Sequence, residues 1–294
     1  MNPLKGLKMR SWKMVPFAAA VLILQAQAPA PSPSQPAVVP VTVPLYRLTV
    51  VQGSAKAINY RNLQVSTKID LKGTVLCPAA SGLATMKSAD PGIQIVARLK
   101  GLPPASTFGG EFLTYVMWGI STEGRATNLG EIILLQGQGR IEVTEALQTF
   151  GLVVTAEPYF AVSQPSDAVV MENAIRPDTH AQVELIDAKY ELLKRGHYTL
   201  NLAAMEPLAM DSKTPFAVYQ ARNAVRIAKA TGAADFAPDA YVKAKDYLTE
   251  AENDKAGKKR RIMMAREAIQ RAEDARLISI QKQAAEQVAM ERNT

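Results

Sequence analysis

Between residues 45 and 171 the chain consists of short runs of β-branched and aromatic residues, broken at close intervals by turn residues. No other feature restricts its fold as much. Seven runs read as strands, at 46–51, 71–76, 92–99, 112–120, 130–135, 140–144 and 150–155. Asp90-Pro91-Gly92, Leu102-Pro103-Pro104 and Gly109-Gly110 punctuate them, because proline fixes φ and glycine accepts backbone angles that other residues avoid. Closely spaced strands without intervening helices predict an antiparallel β-sandwich. Phe112, Tyr115 and Trp118 are expected to fill its core, the other reading being an exposed aromatic binding cleft. Beyond 171 the pattern weakens. Residues 183–193 read as a strand or a short helix, and Arg195-Gly196 turns toward a strand at 197–202, a hairpin that would complete the β body.

After residue 213 the period becomes helical. Thr214 is placed to cap a helix with Pro215 in its first turn, running to Gly232. Pro238 opens a second helix that ends near Ala256-Gly257, where glycine suits the C-terminal cap, and a third spans about 259–290. Their apolar stripes are made of small residues: Ala221, Ala224, Val225 and Ala228; Ala240, Ala244, Leu248 and Ala251; then Ala265, Ala268, Ala272 and Ala275. Such stripes let helices approach closely but bury little area each, as in a helical hairpin, bundle or coiled coil, within one chain or between chains. The expected class is therefore α+β and multidomain, with a β-sandwich at 45–211 and an Ala-rich helical domain at 212–294.

The N-terminus reads as a leader. Lys5, Lys8, Arg10 and Lys13 precede an unbroken apolar run at 14–24, followed by Gln25-Ala26-Gln27-Ala28. Basic, apolar and small segments in that order describe a secretory signal peptide over 1–28. The apolar run rises only roughly 16 Å as a helix, short of a bilayer core of roughly 30 Å. A buried amphipathic helix is the alternative. Ala26-Gln27-Ala28 fits a cleavage site, yet Pro29 disfavours a cut after Ala28, so cleavage after Ala26 or retention as an anchor is open. Pro29, Pro31, Pro33, Pro36, Pro40 and Pro44 then make 29–44 a semi-rigid extended spacer.

Two stretches resemble known families. Gly101-Leu102-Pro103-Pro104, Leu113-Thr114-Tyr115-Val116-Met117-Trp118, Gly124-Arg125, Gly130-Glu131, Thr155-Ala156-Glu157-Pro158 and Gln164-Pro165-Ser166-Asp167 resemble, in order, the extracytoplasmic domain of anti-sigma-K factors. The likeness spans about 93–171 and implies a β-rich sensor or scaffold domain outside the cytoplasm, without catalytic residues. Only 13 residues precede the apolar run, too few for a sigma-binding segment, which speaks against a transmembrane regulator of that kind. Gly232-Ala233-Ala234, Ala237-Pro238, Ala244, Ala265-Arg266-Glu267 and Ala272-Glu273-Asp274-Ala275-Arg276, over about 216–285, resemble a helical domain of unknown function. That domain occurs in Gram-negative envelope proteins, often ahead of an OmpA-like domain. Only Glu291 to Thr294 follow Met290, so peptidoglycan binding through an OmpA-like domain is not expected.

Composition narrows the chemistry further. The single cysteine, Cys77, excludes an internal disulfide framework or a Cys-rich zinc module, and reads as a buried apolar residue. Of the net +7, the leader supplies four charges and 214–294 another four, whereas 30–213 holds 15 bases against 16 acids. The body therefore lacks the basic face that nucleic-acid binding requires. Gly137-Gln138-Gly139 lacks the third glycine of a dinucleotide loop and reads as a hairpin turn. His180 and His197 are the only histidines. Asp178 and His180 would need a distant serine to make a hydrolase, and Glu142 and Glu145 would pair only through tertiary structure. Lys258, Lys259, Arg260 and Arg261 form the sharpest charge cluster, either a contact for an anionic surface or a solvated corner between helices.

No catalytic residue, cofactor or metal site is expected. The sequence points to a non-enzymatic exported envelope protein whose β domain meets envelope proteins or wall components. The helical tail would act as a spacer or homo-oligomerisation element, and an uncleaved leader would hold the protein to the membrane. A wall glycan- or peptide-binding module is the runner-up, and a hydrolase follows it.

Overall fold

A computed structural model describes residues 51–61, 63–177, 179, 182–192, 208–253, 255 and 257–293. The chain divides into two units, Met1–Thr42 and Val43–Thr294, and the described residues belong to the second. The leader, the proline-rich spacer, Asp178, His180, His197 and the expected strand at 197–202 lie outside the described residues. Among those described, no helix is long and apolar enough to cross a membrane.

Ten strands are present among the described residues, every pairing antiparallel. They are β1 (Val51–Asn59), β2 (Thr67–Gly73), β3 (Ser81–Ser88), β4 (Ile93–Lys100), β5 (Thr114–Ser121), β6 (Ala126–Leu135), β7 (Gln138–Glu145), β8 (Thr149–Glu157), β9 (Val169–Ala174) and β10 (Gln182–Leu192). Their order is β10-β1-β8-β5-β6-β7-β4-β3-β2-β9, and β9 also pairs with β8. That last pairing corrects the expected sandwich. β9 bonds to β2 through 171–174 and to β8 through 169–172, so eight strands close on themselves into a barrel. A sandwich leaves edges; this ring joins them. Within the 183–193 segment, 183–192 belong to strand β10, which pairs with β1 along nearly its whole length.

The inward face follows from register, because residues directly opposite one another share a face. In β4, Ile93, Ile95, Ala97 and Leu99 are buried, whereas Arg98 and Lys100 are exposed. From Ala97 the inward set passes through Ile141, Ile132, Tyr115, Ala156, Val154, Met171, Leu71 and Ala84 around the ring. These side chains fill the interior, as an eight-stranded barrel allows. Asn173 fills the fork where β8 changes partner, accepting the Leu152 N–H at 2.9 Å and donating to the Lys56 carbonyl at 2.9 Å.

β5 and β8 are buried on both faces. Their outward residues, Trp118, Val153, Thr155 and Glu157 among them, are buried as well. Tyr115 thus lies inside the barrel, while Trp118 is buried on its outer wall. The helices are α1 (Phe216–Ala230), α2 (Ala233–Phe236), α3 (Pro238–Glu252) and α4 (Lys258–Asn293). Pro215 is the cap of α1, one residue later than expected, and Gly232 takes the left-handed conformation (φ 81°) that ends it. Gly257 does not close α3, which stops at Glu252; its carbonyl instead accepts the Arg261 N–H in the first turn of α4. Ala221, Ala224, Ala228, Ala244, Ala251, Ala265, Ala268, Ala272 and Ala275 are all buried, packed within the one chain.

Candidate functional site: the junction of barrel and helices

Helix α1 places Gln220 and Asn223 three residues apart, hence on one face. Both are buried against the barrel. Gln220 accepts the Phe160 N–H at 2.9 Å and donates to Glu131 of β6 at 2.5 Å. Asn223 donates to the carbonyls of Glu111 at 2.8 Å and Pro158 at 3.2 Å. Glu131 also accepts from Thr114 of β5 at 2.9 Å and from Arg266 of α4 at 3.1 Å. The Arg266 guanidinium lies 3.8 Å from the centre of the Phe160 ring, where the cation meets the electron-rich face.

Helix α4 contributes a buried ion pair. Arg276 and Glu273 are 3% and 5% exposed, and the guanidinium holds both carboxylate oxygens at 2.7 Å. Tyr159 donates to Glu273 at 2.6 Å, and the Ser163 N–H donates to it at 3.0 Å. Burial opposes ionisation of Glu273 most strongly, but the Arg276 charge and the hydrogen bonds from Arg276, Tyr159 and Ser163 outweigh it, holding the carboxyl below its ordinary value. Burial, then the Glu273 charge, pushes the Tyr159 phenol well above its usual range, so it stays a donor. Charge-assisted bonds in a dry setting fix the helix in one register on the barrel.

Further out on the barrel wall, Trp118 donates to Thr155 at 2.8 Å, Thr155 bonds to Glu157, and Glu157 accepts the Ser166 N–H at 2.7 Å. Phe112, Tyr115 and Trp118 are each at most 1% exposed, so none of them lines an aromatic cleft. Glu142 and Glu145 do not meet. They are an odd number of residues apart on β7, so Glu142 points out to Arg140 and Gln94, and Glu145 points into the barrel. Gly137 belongs to the two-residue β6–β7 turn, where Gln136 (φ 52°) and Gly137 (φ 73°) are both left-handed, the geometry of a hairpin. Cys77 is buried, with its thiol 3.8 Å from the Gly101 carbonyl. Among the described residues, no group of three His, Cys, Asp or Glu side chains is placed to hold a metal.

The basic cluster separates by role. Lys258 and Lys259 are exposed at the start of α4. Arg260 pairs with Glu250 at 3.0 Å. Arg261 is buried and donates to the Ala251 carbonyl at 2.9 Å, satisfying the end of α3. The Glu273 network escaped the sequence reading, because its partner Tyr159 is 114 residues away. A signal was present: Glu273 and Arg276 flank Ala272 and Ala275 of the alanine stripe, on an arc that is buried.

No family model matches the chain, and neither a curated protein nor a solved structure does.

Proposed function

We propose that the protein is a non-enzymatic, exported cell-envelope protein whose barrel presents an interaction surface and whose helices brace that surface. The observation that carries this reading is the N-terminal order of a basic segment, an apolar run and small residues, followed by six prolines within 29–44. The geometry favours the same reading. An interior filled by side chains leaves recognition to the outer surface, and a buried polar junction holds helices and barrel in one arrangement. The likeness of 93–171 to an anti-sigma-K extracytoplasmic domain, and of 216–285 to a helical domain of envelope proteins, belongs to this proposal. Envelope proteins or wall components are the proposed partners.

Fractionation of a Gram-negative host expressing the full chain, with intact mass of the product, tests it. Recovery in the periplasmic or membrane fraction is expected, with the first 26 to 28 residues removed or the leader retained as an anchor. Recovery of the intact chain in the cytoplasm alone contradicts the proposal.

A further inference from the structure

One end of the barrel carries a rim of exposed aliphatic side chains flanked by cations. Val75 and Leu76, in the β2–β3 loop, are 95% and 48% exposed; Ile133 and Leu135, at the end of β6, are 63% and 75% exposed. Four exposed aliphatics at one end of a small barrel carry an unfavourable hydration cost, and such patches mark contact sites.

The rim is continuous. A Cβ on Gly101 would fall 2.6 Å from the Ala79 carbonyl oxygen, and one on Gly137 would fall 3.6 Å from that of Leu102. The β2–β3 loop, the segment after β4 and the β6–β7 turn therefore touch in sequence around the barrel mouth. The loop bearing Val75 is also fixed. Thr74 donates its N–H to Val170 at 2.9 Å and its hydroxyl to Val169 at 2.6 Å. The Cys77 N–H returns to the Thr74 carbonyl at 3.0 Å. A Cβ on Gly73 would sit 2.0 Å from the Cys77 carbonyl oxygen, so the loop closes over this glycine. Val75 and Leu76 are thus presented by a set turn, and little ordering is needed when they are buried.

The charge beside them is mainly positive, although Glu172 of β9 lies opposite Lys72. Lys72 of β2 and Lys100 of β4 both lie opposite Ser81 of β3, on the outward face at this end. Arg98 lies one row further down, directly opposite Arg140. Lys72, Arg98 and Lys100 make no ion pair within 4 Å among the described residues, whereas Arg140 pairs with Glu142. Between residues 71 and 108 the one carboxylate is Asp90, in the β3–β4 turn at the opposite end.

We propose that this rim docks on an anionic lipid surface, with Val75, Leu76 and Leu135 entering the headgroup boundary while Lys72, Arg98 and Lys100 meet lipid phosphate. Aliphatic tips for shallow insertion and same-sign cations behind them are the two parts that interfacial binding uses. A neutral protein partner would satisfy the aliphatics but leave the cations unmatched. The inference goes beyond the envelope proposal and does not depend on export.

The test is co-sedimentation of the full chain with vesicles of phosphatidylglycerol and phosphatidylcholine, against vesicles of phosphatidylcholine alone. All proteins compared keep the leader, so differences between them report the rim. Wild type is expected to prefer the anionic vesicles, less so as salt is raised. Lys72→Gln/Lys100→Gln should lower its partition coefficient on them by roughly tenfold or more. Val75→Ser/Leu76→Ser should cause a loss of similar size, and Leu135→Ser, on a separate loop, serves if that pair fails to fold. Variants that fold and bind as wild type does overturn the proposal, as does equal binding to both vesicles. A wild-type dimer that Val75→Ser/Leu76→Ser converts to monomer overturns it too, since the rim would then be a contact between copies.

Discussion

Glu273 shows how much can rest on one buried carboxylate. Replacing it with glutamine removes the carboxylate that holds the buried Arg276 guanidinium through two hydrogen bonds, and breaking such a buried pair costs about 3–5 kcal/mol. Tyr159→Phe removes one hydrogen bond to a charged acceptor, and a loss of about 1.5–3 kcal/mol is expected. Urea denaturation of the two variants separates these sizes. The same carboxyl sets a pH dependence. Its folded-state pKa lies below the ordinary value, so its contribution is complete above the unfolded pKa of about 4.3 and is lost as pH falls through the folded value. Asp211 titrates in the same direction: N–H groups of Thr214 and Lys213 and the Tyr219 hydroxyl hold it at about 2. Stability measured between pH 7 and pH 3 should therefore fall on the acid side, and fall less steeply in Glu273→Gln. A slope unchanged by that substitution would show that other carboxylates govern the acid limb. Little of this was legible in the sequence, where Glu273 and Arg276 resemble an ordinary surface pair of a helix.

At the scale of elements, local chemistry was readable and long-range pairing was not. The β6–β7 turn declares itself through glycine, and its two left-handed residues make a sharp prediction. Gly137→Val should cost about 1–2 kcal/mol, since a β-branched residue is poorly accommodated at φ 73°. Gln136→Asn, more at ease in that conformation, should be neutral or slightly stabilising; thermal midpoints of the two variants check both. The alanine stripes were visible as a helical period, and their burial sets a limit on size. Ala268→Leu forces a larger side chain into a close contact and should cost about 1–3 kcal/mol by denaturant titration. The sequence did not reveal β1, β3 or β9; the strand expected at 46–51 meets β1 only at Val51. β3 carries Gly82, Ala84 and Lys87, with few β-branched residues, and is held as a strand by β2 and β4 on either side. β9 is short, and its importance is topological: it bonds to β2 on one edge and β8 on the other, and without it the ring would be an open sheet. No local pattern encodes which two edges a six-residue strand will join.

Over the whole molecule, strands and helices fall in one compact unit, Val43–Thr294. Periodicity separates strands from helices along the chain, but it does not say whether the two layers share a core. Here they do, through Gln220, Asn223, Glu131, Tyr159, Glu273 and Arg276, each bonded across the boundary. The helices are thereby part of the barrel's own stability rather than an appendage. Native-state hydrogen exchange of the full chain tests this most directly, by comparing amides of β8 with those of α4 around Glu273. Both sets are expected to exchange through the same global opening, with equal free energies and equal dependence on denaturant, and Glu273→Gln is expected to lower them together. Exchange of the α4 amides through a separate, lower-energy opening, with β8 still protected, would contradict it.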